Sequence, residues 1–108
     1  MSEKRNNYPL SEKDEEELMG NLTGWALLYI KPHTLKKNVQ LETFNDALVL
    51  LNDIAHLAQT EGHYPNFYLS FKTLVLTLYT PEVFGLSEKD FILAARIDEL
   101  LNKKGLLS

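Results

Sequence analysis

Apolar residues show no periodicity before Ser11, and beyond it their spacing switches between the helical and the strand period. The polar segment Met1–Leu10 reads as a loose tail, which leaves residues 11–105 as the folded domain. Ser11 is placed as an N-cap, with Asp14, Glu15, Glu16 and Glu17 in the first turns where negative charge suits the helix dipole, so a short helix is expected from Glu12 to Met19. Gly20 and Gly24 bracket its exit. Trp25–Ile30 then favours a pleated strand, Pro32 and His33 a turn, and Leu35, Lys37, Val39 and Leu41 alternate with Thr34, Lys36, Asn38 and Gln40. These patterns predict a first hairpin with one polar face.

Thr43 with Asp46 three positions on predicts the next helix start, and Phe44, Ala47, Leu48, Leu51, Ile54, Ala55 and Ala58 follow at helical spacing to about Thr60. Leu50 and Leu57 widen that stripe beyond what one sheet face needs, and a subunit contact is the expected use. Gly62–Asn66 breaks the helix, and Phe67–Phe71 and Thr73–Tyr79 give a second pair of strands around a turn with no Asn-Gly. Ser87 and Asp90 form a capping pair for a closing helix to about Lys103. The order α-β-β-α-β-β-α predicts an α+β fold, a four-stranded antiparallel sheet with the helices packed on one face.

Composition narrows the chemistry. The 108 residues suit one domain, and the absence of cysteine excludes disulfides, thiolate metal sites and a cysteine nucleophile. A net charge of −4 argues against a broad nucleic-acid face. No stretch nears the roughly 18 apolar residues of a spanning helix, so a cytoplasmic protein without membrane contact is expected. The three histidines are His33, His56 and His63, too few to spend together on a metal. His33 in its turn and His56 at the stripe margin read as surface residues, whereas His63 in the helix-to-strand loop Glu61–Pro65 is the one placed to face a cleft. Tyr68 and Tyr79 are candidates for a partner-facing sheet surface if they face solvent.

Trp25, the run Leu35–Phe44, the His63-x-Pro65 loop, the aromatic Phe71 and Gly85-Leu-Ser-Glu-Lys-Asp90 stand in the order and spacing of the pterin-4a-carbinolamine dehydratases, which the chain resembles from Gly24 to the last helix. The resemblance implies a homodimer through sheet edges, in some members a tetramer through the central helix, and dehydration of a reduced pterin, 4a-hydroxytetrahydropterin. It calls for no cofactor or metal. The implied site comprises two adjacent histidines before the proline, a further histidine after the fourth strand and an acidic residue on the preceding helix. His63 matches the first histidine; Tyr64 stands for the second, Pro81 for the loop histidine and Gln59 for the acid, while Pro65, Phe71 and Asp90 keep the pattern. His63 is therefore the catalytic candidate, and Gln59, Tyr64, Pro65, Pro81 and Asp90 are the substrate-binding candidates.

Loss of hydroxide from C4a needs an acid for the leaving oxygen and a base for a ring N–H proton. Proline supplies neither, and tyrosine is a poor base at neutral pH. These substitutions point to a non-catalytic, protein-binding member, of the kind the family offers in a branch that assists Rubisco assembly near carboxysome genes, with a Rubisco subunit as a possible partner. The alternative is an active dehydratase using His63 in tetrahydrobiopterin recycling.

Overall fold

A computed structural model of the chain describes residues 8–107. Ser11, Thr43 and Ser87 each sit in extended backbone and accept a backbone N–H through the side-chain oxygen, so the three α-helices of the described residues start where a hydroxyl can satisfy a free amide. They are α1 (Glu12–Met19), α2 (Phe44–Glu61) and α3 (Glu88–Lys103). The strands are β1 (Ala26–Leu28), β2 (Thr34–Gln40), β3 (Asn66–Ser70) and β4 (Thr73–Leu78), in the spatial order β1-β2-β4-β3 and antiparallel throughout. This is the expected α-β-β-α-β-β-α arrangement, an α+β fold. The first strand is shorter than its β-favouring residues suggest, because Trp25 is buried ahead of it and Tyr29 and Ile30 belong to the exposed turn.

Alternation in β2 sends Leu35, Lys37 and Val39 inward and leaves Lys36, Asn38 and Gln40 in solvent. The register places Val39 opposite Leu74, Lys37 opposite Leu76 and Leu35 opposite Leu78. With Ala47, Leu50 and Ile54 of α2 and Leu93, Ala94, Ile97 and Leu101 of α3, these apolar side chains make a single core. The second hairpin turns through Phe71 and Lys72, and Phe71 takes the positive φ of 52° that such a turn requires.

Two expectations are corrected. In α2 the buried line is Ala47, Leu50, Ile54 and Ala58, while Phe44 and Leu48 are exposed. Leu50 is therefore part of the chain's own core and is not available to a subunit. Ala47, Ile54 and Ala58 fit two flanking stripes equally well, and the sheet takes the flank that carries Leu50. His33 is also more than a surface turn residue. Its Nδ1 lies 3.0 Å from Oε2 of Glu15, whose side chain is fully buried, and the Tyr29 ring meets the imidazole edge-on at 5.2 Å. The first turn of α1 is thereby fastened to the β1–β2 connection. Tyr29 has its phenol pushed above the usual range, first by lost hydration and then by the carboxylates of Glu16, Glu12 and Glu15. His56 is exposed, as expected.

A second buried acid anchors the far end of α3. Asp98 accepts the indole N–H of Trp25 at 2.8 Å and the amide of Thr23 at 2.9 Å, and lies 3.6 Å from the Lys37 ammonium. That ammonium also donates to the Thr23 carbonyl at 2.5 Å and sits 5.8 Å from the centre of the Trp25 ring. Lys37 can occupy an inward strand position because the Thr23 carbonyl, the Asp98 carboxylate and the Trp25 ring surround its charge there. Of the segment expected as a tail, residues 1–7 lie outside the described residues, and Leu10 donates its amide to the Leu86 carbonyl at 2.8 Å.

Breaking the contact at α1 has a predictable cost. His33→Ala leaves the Glu15 carboxylate buried with its hydrogen-bond partner gone, so urea denaturation should show a loss of about 3 kcal/mol. In a Glu15→Ala background the same substitution should cost far less, and equal costs in both backgrounds would show that the pair is not coupled.

Candidate active site

Gly62 ends α2 with a left-handed φ of 72° and donates its amide to the Ala58 carbonyl at 2.8 Å. The His63 amide bonds the same carbonyl at 3.2 Å, so the residue after the cap is fixed by the last turn of the helix. Across from it, the end of β4 closes on itself. Thr80 and Gly85 pair as an isolated bridge around a single 3-10 turn, Pro81–Val83, before Ser87 starts α3.

These two connections meet at Asp90. His63 Nε2 lies 2.5 Å from Asp90 Oδ1, and Asp90 Oδ2 accepts from the Thr80 hydroxyl at 2.7 Å and from the Ser87 amide at 3.0 Å. The carboxylate is fully buried, and His63 keeps one side at the surface. An ionised carboxylate only accepts, so the contact puts the imidazole proton on Nε2 and leaves Nδ1 without a proton in the neutral ring. A histidine oriented by a buried acid is the arrangement general acid–base catalysis uses.

His63 opens onto a cleft of about 360 Å³. Gly62 and Tyr64 flank it there, Asn66 and Thr77 come from the sheet, Tyr79 from just past the end of β4, Pro81 and Glu82 from the 3-10 turn, and Lys89 from the first turn of α3. Asn66 and Thr77 are direct cross-strand partners and present an amide and a hydroxyl side by side. A larger groove of about 520 Å³, between Gln40–Leu41 and Leu106, contains no histidine.

The structure thus gathers His63, Tyr64 and Pro81 in one cleft. Asp90 is present only through His63, since its side chain has no exposure of its own. Pro65 is buried and Gln59 is exposed, and neither lines the cleft. Thr80, Asn66, Thr77, Glu82 and Lys89 were not singled out from sequence. The period of two in β3 and β4 was the signal for Asn66 and Thr77, once the register is known.

Residues 8–100 match the family described as pterin 4 alpha carbinolamine dehydratase. The chain belongs to this family. Relatives named as inferred pterin-4-alpha-carbinolamine dehydratases are 36% identical over 92 residues in Roseiflexus sp. (strain RS-1), covering 85% of this chain and 96% of the relative. Another in Alkaliphilus metalliredigens is also 36% identical, covering 84% and 81%. Among solved structures, a transcriptional coactivator/pterin dehydratase from Brucella melitensis superposes with a TM-score of 0.78 at 21% identity over 85% of this chain and 97% of that one. A pterin dehydratase-like protein described as a RuBisCO assembly factor in the alpha-carboxysome gives 0.61 at 22% identity, covering 74% and 92%. At those identities the two structures establish the shared dehydratase fold. Among the described residues, no helix is long and apolar enough to cross a membrane.

The loop that carries Thr80 and Pro81 is braced from outside. A Cβ on Gly85 would stand 2.8 Å from Cβ of Pro9, closer than two carbons can pack. Gly85→Ala should therefore push the Pro9–Leu10 segment off the loop, lowering stability by about 1–3 kcal/mol and exposing the Leu10 amide to hydrogen exchange. Unchanged exchange at Leu10 would show that the packing is not needed.

Proposed function

We propose that the chain is a pterin-4a-carbinolamine dehydratase whose acid–base set has contracted to the His63–Asp90 pair. The observation that carries this reading is the 2.5 Å contact from His63 to a fully buried carboxylate at the wall of a polar cleft. One imidazole can serve both halves of the reaction in turn. In its protonated form it gives a proton to the C4a hydroxyl; the C–O bond breaks with its electron pair on oxygen, and water leaves. The neutral imidazole then takes a proton from the ring N–H of the resulting cation, which yields the quinonoid dihydropterin and restores the starting form. Asp90 stabilises the imidazolium stage of that cycle, and no cofactor or metal enters it. Tyr64 at the rim is an auxiliary proton donor, and Asn66 and Thr77 can pair with the polar edge of the heterocycle.

Purified protein should accelerate the loss of 4a-hydroxytetrahydropterin, and His63→Ala should abolish the acceleration. Pro81→His returns an imidazole to the cleft and should raise the rate by about 10²-fold, the lower end for one positioned acid or base. No acceleration by the wild type or by Pro81→His would overturn the reading.

A second reading is a non-catalytic, cytoplasmic assembly factor with a degraded site, for which a Rubisco subunit is one candidate partner. It is favoured by Tyr64 and Pro81 at the two histidine positions, and by the exposed rings of Tyr64 and Phe84 at 63% and 62%. In either reading we expect a homodimer. Phe44, Leu48 and Val49 are exposed apolar residues on α2 through which two dimers can join. Light scattering should give a mass that is a multiple of the monomer. Leu48→Glu should reduce a tetramer to a dimer, and a monomeric wild type would rule out both assemblies.

A further inference from the structure

We propose that Thr80 is a positioning residue for His63, acting through Asp90; this rests on the acid–base role of His63 given above. A capping box needs one carboxylate oxygen on the N-cap amide, and Asp90 Oδ2 fills that role on Ser87. The same oxygen also takes the Thr80 hydroxyl at 2.7 Å, leaving Oδ1 to His63 alone among the described residues. Thr80 is itself buried, and its Oγ1 lies 2.7 Å from Ser87 Oγ.

Proton counting gives this cluster a direction. The carboxylate accepts only, so the single Thr80 proton goes to Asp90 and the Ser87 hydroxyl must donate to Thr80. Ser87 Oγ in turn accepts the Lys89 amide at 3.3 Å. The chain therefore runs one way, from the Lys89 amide through two hydroxyls to Oδ2, each bond polarising the next. A carboxylate held on Oδ2 by two donors from two segments cannot swing, and the orientation of Oδ1 decides which imidazole nitrogen carries the proton. The cap alone accounts for the Ser87 contact; it gives no reason for a buried threonine hydroxyl on the same oxygen.

The test reads the His63 ring directly. Nitrogen-15 correlation spectra of the wild type at a pH where the imidazole is neutral should show the proton on Nε2. Thr80→Val keeps the side-chain shape and removes the donor, so the ring should become a mixture of tautomers, and any dehydratase rate should fall about tenfold. Thr80→Ser should restore both. Should Thr80→Val fail to fold, Ser87→Ala removes the donor upstream of Thr80 and should shift the tautomer ratio in the same direction. An unchanged tautomer in whichever of these variants folds would overturn the proposal, reducing Thr80 to a structural role. The ring signal does not depend on turnover, so a protein without activity but with a Thr80-dependent tautomer would sink the dehydratase reading and leave the positioning role standing.

Discussion

The Asp90 carboxylate has no contact with water, and its hydrogen bonds reach three separate stretches of chain: the start of α3, the end of β4 and the loop after α2. Burying an unpaired carboxylate costs several kcal/mol, so each of those stretches is held in place by the penalty for leaving the acid unsatisfied. Ser87 can start α3 where it does because Asp90 takes its amide. Thr80 must face inward because Oδ2 is there. His63 is set at the end of the Gly62 cap and against Oδ1, with one side left to the cleft. The site and the junction of helix and sheet are thus one construction.

Asp98, two turns further along α3, shows what the same chemistry does when no cleft adjoins it. It too is buried, hydrogen-bonded to Trp25 and Thr23 and ion-paired with Lys37. Its partners are an indole, a backbone amide and an ammonium that is itself covered, so no proton-exchanging group reaches solvent. The Asp98 cluster fixes the β1–β2 side of the sheet against α3. In the Asp90 cluster an imidazole is interposed between acid and surface and opens onto a cleft, so the acid orients a ring that a bound molecule can reach.

Local signals were legible in the sequence. Hydroxyl caps, the alternation of β2 and the Ser87–Asp90 spacing act over a few residues, and they gave the helices, the strands and their order. Pairings across the fold were not. Lys37 was counted in the inward alternation of β2, but its charge partner lies in another element, and nothing local identifies Asp98. His33 and Glu15 were placed separately, as a turn residue and a dipole-facing acid, since neither assignment requires the other. The error in α2 has the same origin: a stripe of alanine and isoleucine leaves its flank undecided until the sheet selects Leu50. His63 was singled out by its loop and Asp90 by its cap, and the family pattern joined them in one site, whereas Thr80 became visible only with the bonds around Oδ2.

The residues of the site follow the same division between packed and open positions. Pro81 opens a 3-10 turn, where the missing amide proton has no helical partner to lose and the fixed φ suits the geometry. Tyr64 is largely in solvent, so an imidazole or a phenol there meets little packing. Neither position constrains the scaffold through a buried side chain. Pro65, Gly85 and Asp90 are buried, and changing them carries a folding cost whether or not a pterin is ever bound. The scaffold therefore says little about chemistry, and so does the presence of Asp90, which the cap of α3 uses in any case. Ser87 and Thr80 satisfy Oδ2, and Oδ1 still needs a donor, which His63 supplies as His33 does for the buried Glu15. What folding does not ask for is the polar cleft onto which His63 opens, and the case for catalysis stands on that opening.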